Sequence, residues 1–188
     1  MTTASGTAYP RTIDNGVGER LTFLRVVPGP TGDRLEINNV VAPGAGPPMH
    51  VHLQQEESIT VERGQIAYQR PGEEAEFAGP GETVVFAPGE GHRFWNPADE
   101  DLVCSGYIAP ADSSEYYLTA MYDALRRSDS GRPSMFDAAF LATRYRDEFG
   151  MPEIPAAVQR IVFPVVVLAG RLLGRYDRYA DAPEPVRH

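Results

Sequence analysis

A chain of 188 residues with 42% hydrophobic and 23% charged side chains has the size of one domain with a buried core, and its 18 glycines and 17 prolines favour short strands joined by many turns. A formal charge of −9 and a sequence pI of about 4.9 repel phosphate backbones and anionic headgroups, which argues against nucleic acid and membrane surfaces as partners. All 17 basic residues are arginine, which excludes lysine-based Schiff-base or general-base chemistry, and a lone cysteine, Cys104, excludes an intrachain disulfide.

The first residues, MTTASGTAYPRTIDNG, are small and polar, with no charged segment leading into an apolar one; a cytoplasmic protein is expected. From Leu21 to Ala109 the chain breaks into short runs rich in Val, Ile, Phe, Tyr and Thr. They cover Leu21–Val27, Arg34–Val41, Met49–Leu53, Glu57–Glu62, Gln65–Arg70, Glu74–Ala78, Thr83–Ala87, His92–Asn96 and Leu102–Ala109. The segments between them, such as PGPTGD, RPGEE, GPGE and NPADED, are turn formers. This spacing predicts an all-β sandwich or barrel over residues 1–110. Cys104 lies in the apolar run LVCSGYIAP and reads as a buried structural thiol.

After Pro110 the period becomes helical. Ser114–Arg127 sets Tyr117, Leu118, Met121 and Leu125 along one stripe. Ser134–Phe149 repeats the pattern, with Ser134 as N-cap and Gly150 just past the end. A third helix is expected from Pro155 to Tyr176. Its apolar run IVFPVVVLAG is too short to span a bilayer, which needs about 20 residues, and Pro164 should kink or split it. Residues 111–180 are therefore expected to form a helical extension that stabilises a homodimer or closes the barrel, with 181–188 as a flexible tail.

Three of the four histidines fall inside the β region. His50 and His52, at i and i+2 on a strand, point to one face; Glu57 opens the next strand, and His92 arrives from a distant one. Three imidazoles and a carboxylate suit one divalent ion of Fe, Mn, Ni, Cu or Zn, with coordination positions left for water and substrate. Alternation places Ile59 and Val61 inward with Glu57, and Phe94 with His92. Ile66 and Tyr68 are further inward positions, so Ile59, Tyr68 and Phe94 are expected to line a substrate pocket.

Within residues 44–96 the spacing runs from Gly44 through five residues to His50, one to His52, four to Glu57 and six to Gly64. A second stretch runs from Gly81 through six residues to Pro88-Gly89, two to His92 and three to Asn96. These stretches resemble the paired motifs of the cupin superfamily, G-x5-H-x-H-x3,4-E-x6-G and G-x5-P-x-G-x2-H-x3-N. One departure stands in the second: Ala87 occupies the usual first Pro position and Pro88 follows it. The chain is similar to single-domain bacterial cupins with a helical tail. The resemblance implies a jelly-roll barrel with a metal held by His50, His52, Glu57 and His92, and metal-assisted chemistry on a small organic substrate. A dioxygenase is expected ahead of a cyclase or isomerase, with Glu57 as a base and Tyr68 or Tyr107 as proton donor. The alternative from another class is a non-catalytic small-molecule-binding barrel; an open, substrate-sized cavity favours the enzyme and a filled barrel the scaffold.

Overall fold

A computed structural model describes residues 8–30 and 32–186; the fourth histidine, His188, lies outside them. Ten strands precede the helices: β1 (Arg11–Asp14), β2 (Glu19–Val27), β3 (Arg34–Val41), β4 (His50–His52), β5 (Glu56–Arg63), β6 (Ile66–Gln69), β7 (Glu76–Ala78), β8 (Thr83–Phe86), β9 (Gly91–Trp95) and β10 (Leu102–Ala109). Each run of alternating or β-branched residues forms a strand, and β1 is an addition that the polar sequence RTID did not signal. Helices α1 (Ser114–Arg126) and α2 (Met135–Arg144) come next, followed by the two-residue strand β11 (Phe149–Gly150) and helix α3 (Phe163–Leu172).

The strands form two antiparallel sheets that face each other as a barrel. One has the order β1-β2-β3-β10-β5-β8 and the other β11-β4-β9-β6-β7. Period-2 alternation sends one set of side chains into the space between them: Phe23, Leu35, Val41, Val61, Phe86, Leu102 and Ile108 are buried there. Burying each such side chain contributes roughly 1.5–3 kcal/mol. Among the described residues no helix is long and apolar enough to cross a membrane.

The helical region departs from the sequence expectation in two places, the end of α2 and the tail, while the break expected at Pro164 is present. Ser134 does cap α2, accepting a hydrogen bond from the Asp137 amide at 3.2 Å, but the helix stops at Arg144 and not at Phe149. Phe149 and Gly150 instead pair with His52 and Val51 of β4, because an open strand edge there offers the backbone a ladder. Pro164 sits in the first turn of α3, and a π-helical turn, Val158–Val162, absorbs the break before it. The segment expected to be a flexible tail is tied down as far as Val186. Arg144 donates to the carbonyls of Ala182 and Pro183 at 2.9 and 2.8 Å, and the Val186 amide donates to the buried carboxylate of Glu148 at 2.9 Å.

Candidate metal centre and its cavity

The two sheets contribute different halves of one cluster. His50 and His52 come from β4, and the ladder sets His50 opposite His92 of β9 in the same sheet. Glu57 comes from β5 in the facing sheet, where it pairs with Phe86 of β8. Phe86 stacks flat on the His92 ring at 3.8 Å between centroids, and Phe149 meets His52 edge-on at 5.2 Å. Aromatic contacts thus fix two of the three imidazoles.

One ligand atom from each of His50, His52, Glu57 and His92 lies within 4.8 Å of the others. Oε2 of Glu57 is 2.9 Å from Nε2 of His92, 3.5 Å from Nε2 of His52 and 3.9 Å from Nε2 of His50. The far ring nitrogens of His50 and His92 donate to backbone carbonyls, Nδ1 of His50 to Pro48 at 2.9 Å and Nδ1 of His92 to Glu90 at 3.0 Å. Those bonds select the tautomer whose Nε2 lone pair faces the cluster. A divalent cation at their centre would take up those Nε2 lone pairs and the Glu57 carboxylate together as ligands.

Electrostatics agree with that fit. Burial opposes ionisation of Glu57, yet the imidazoles of His52, His50 and His92 hold its carboxyl well below the usual range. Burial outweighs the pull of Glu57 on His52 and lowers that imidazole to about 3, leaving it neutral. An ionised carboxylate beside a neutral imidazole is the form a metal takes up without displacing protons.

The loop leading to His92 is held by its own charge. Glu90 accepts from the Ala87 amide at 2.9 Å and pairs with Arg70, so its backbone carbonyl is fixed where His92 needs an acceptor. Gly89 adopts φ +81° in the same turn and donates its amide to the His52 carbonyl at 2.7 Å, tying the two histidine-bearing segments together. Pro88 in place of the preceding residue leaves this turn intact. Asn96 satisfies backbone groups at the strand end, donating to the carbonyls of Val41 and Glu100 at 2.8 and 2.7 Å.

The cluster opens on a cavity of about 910 Å³. Barrel residues Leu21, Ile37, Ile59 and Phe94 form one wall. The stripe Tyr117, Leu118, Met121 and Leu125 of α1 forms another, so the helix face read from sequence as apolar looks into the cavity. Ile59 and Phe94 stand where alternation put them, but Tyr68 does not line the cavity. Its hydroxyl donates to Glu76 at 3.2 Å on an exposed edge, while its ring packs against Phe86. Tyr107 also faces away: it donates to Glu56 at 2.7 Å on the outer side of β5, which places Glu56 and Glu57 on opposite faces of the strand. Neither tyrosine reaches the metal ligands as a proton donor. Asn15, Glu19, Asn39 and Tyr122 are among the polar lining residues that went unremarked in the sequence. Asn39 carried a signal, since it shares the inward phase of Leu35, Ile37 and Val41 and is a polar residue on an apolar face.

Residues 39–106 match the model of the cupin domain. The chain carries a cupin domain. A curated relative, the oxidoreductase IacF of Pestalotiopsis fici, is 35% identical over 82 residues, which are 43% of this chain and 40% of that protein. The chain thus spans well under half the length of that relative. Among solved structures, a cupin 2 conserved barrel domain protein from Salinispora arenicola is 20% identical, with TM-score 0.43 over 57% of this chain and 89% of that one. A predicted oxalate decarboxylase from Thermotoga maritima is 19% identical, with TM-score 0.43 over 57% and 97% of the two chains. In this domain the paired motifs correspond to strands β4, β5 and β9 and the turns that enter them.

Proposed function

We propose that the protein is a metal-dependent enzyme of dioxygenase type acting on a small, partly aromatic or enolic organic substrate. The observation that carries this reading is the convergence of three Nε2 atoms and one carboxylate at the wall of a cavity of about 910 Å³. A barrel serving only as a scaffold has no use for a space of that size, which lies within the range of small-molecule sites. IacF, the relative that matches part of the barrel, is named an oxidoreductase, and that name supports oxidative chemistry ahead of cyclisation or isomerisation.

His50, His52, Glu57 and His92 would hold the ion. When bound, it would supply Lewis acidity and, if redox-active, a route for electrons. The chain's own residues do the rest. Leu21, Ile37, Ile59 and Phe94 offer an apolar bed for a flat ring, and α1 supplies a second apolar wall. Glu57 is ionised and can accept a proton from an acidic hydroxyl or C–H group of a substrate seated beside it.

Protein purified without added metal is expected to contain about one equivalent of a divalent transition metal by elemental analysis and to consume O2 with phenolic or enol substrates. Glu57→Gln should impair turnover far more than Glu56→Gln, whose side chain is engaged on the outer face. Metal content near zero that added Fe, Mn, Ni, Cu or Zn fails to restore would overturn the reading. Turnover without O2 consumption would shift it to a cyclase or isomerase.

A further inference from the structure

A second polar group lines the same cavity. Asn15, Glu19, Asn39 and Tyr122 all contribute to its lining, among walls that are otherwise mostly apolar. Glu19 is fixed by its neighbours: Asn15 accepts from the Glu19 amide at 3.0 Å and donates Nδ2 to the Glu19 carboxyl at 3.0 Å. Asn39 donates Nδ2 to the other Glu19 oxygen at 3.5 Å, the outer limit of a hydrogen bond, so its amide is oriented but not locked. That orientation spends the amide donor and leaves Oδ1 with no donor among the described residues.

A buried amide oxygen without a donor is destabilising, and one that lines a cavity can be satisfied by a ligand that enters it. Asn39 is only 9% exposed, and it belongs to β3 in the centre of the six-stranded sheet, so bulk water is a poor partner. We propose that Glu19 and Asn39 form a subsite for a hydroxyl group of the substrate, which donates to the amide oxygen of Asn39 and accepts or shares a proton with the Glu19 carboxyl. The ligand this selects carries an oxygen at the metal end, an apolar or aromatic middle and a second hydroxyl at the far end. A cationic end group fits less well, because burial raises the Glu19 carboxyl above its ordinary pKa and so disfavours the charge a cation needs.

The inference rests on the metal reading above only for the location of the other end of the ligand. The test uses two fluorescent probes, 2-naphthol and 2,6-dihydroxynaphthalene, titrated into full-length protein whose metal content has been measured. The diol should bind about 5- to 10-fold more tightly than 2-naphthol, the factor of one net hydrogen bond. Asn39→Ala and Glu19→Ala should each abolish that preference without changing metal content. Asn38→Ala, on the exposed face of the same strand, should preserve it. Equal affinities in the parent protein, a preference that survives both substitutions, or failure of both probes to bind protein of full metal content would overturn the subsite. Loss of metal in the parent would instead strike the metal reading, and a diol preference persisting in metal-free protein would uphold the subsite without it.

Discussion

The barrel and the helical extension meet at one cavity but are held by different means. In the barrel, ladder register carries the information: His50 opposite His92 and Glu57 opposite Phe86 are consequences of backbone pairing, and a one-residue slip would turn each side chain outward. The extension has only one short ladder of this kind, Phe149–Gly150 on β4. It is secured by small aromatic clusters, Phe140, Tyr145, Phe149 and Tyr179 in one and Phe163 and Val167 in another, together with hydrogen bonds from the tail. One face of α3 packs on α2, while Ile161, Val165, Leu168 and Leu172 on or beside it remain exposed. The barrel therefore specifies positions to within a hydrogen bond, and the extension specifies a surface that covers them.

The largest expected effect breaks the barrel side of this contrast. His92→Ala removes a ligand that Phe86 and the Glu90 carbonyl hold in place, and should lower metal affinity by at least about 100-fold in a competition titration, beyond what outer-shell changes usually do. Metal affinity equal to the parent's would show that register does not build the site.

On the extension side, the two faces of α3 should behave oppositely. Phe163→Ala leaves a void in the cluster with Val167 and should cost about 3–5 kcal/mol in urea unfolding. Leu168→Ala, at a position 61% exposed, should stay within about 0.5 kcal/mol. Similar costs at the two sites would mean that the exposed face is covered in solution.

Where the two regions touch, Tyr122 of α1 approaches Glu19 of β2, and the pair gives the contact a pH dependence. Burial raises the Glu19 carboxyl above its ordinary value, so the folded state retains a proton that the unfolded chain releases. Stability from this group is complete below the unfolded carboxyl pKa of about 4.3 and declines as pH rises toward the folded value. Tyr122, His50 and Glu57 also act on this group or are acted on by it, with Tyr122 pushed well above its usual value by burial and then by the Glu19 and Glu57 charges. Glu19→Gln, which cannot ionise, should gain on the parent as pH rises from about 4.3 toward neutrality in paired denaturation curves. A constant difference across that interval would deny the burial of the carboxyl.

The smallest effect sharpens the barrel as a packed core. Burial pushes the Cys104 thiol up to about 12, so native protein at neutral pH should react negligibly with a disulfide reagent and stoichiometrically once unfolded. Rapid native labelling would open the interior that Val61, Leu102 and Cys104 share.

The sequence by itself determined the strands and the cluster of three histidines and one glutamate. Alternation over LTFLRVV, RLEINNVV and ESITVE is a local property, and the spacing of His50, His52, Glu57 and His92 among turn-forming glycines survives in one dimension. It also separated Glu57 from Glu56, because period 2 leaves only one of two neighbours facing inward. Tertiary structure alone decided what depends on contacts between distant segments. Tyr68 left the pocket because an exposed strand edge and Glu76 offered its hydroxyl a partner. Phe149 left its helix because β4 presented an unpaired edge beside His52. Glu19 and Asn39 became neighbours because β2 and β3 pair with Leu21 opposite Asn39, and Glu19 lies one inward position along the same face. Periodicity tells a side chain which way to point; only the register between strands and the arrival of a helix tell it what it will meet.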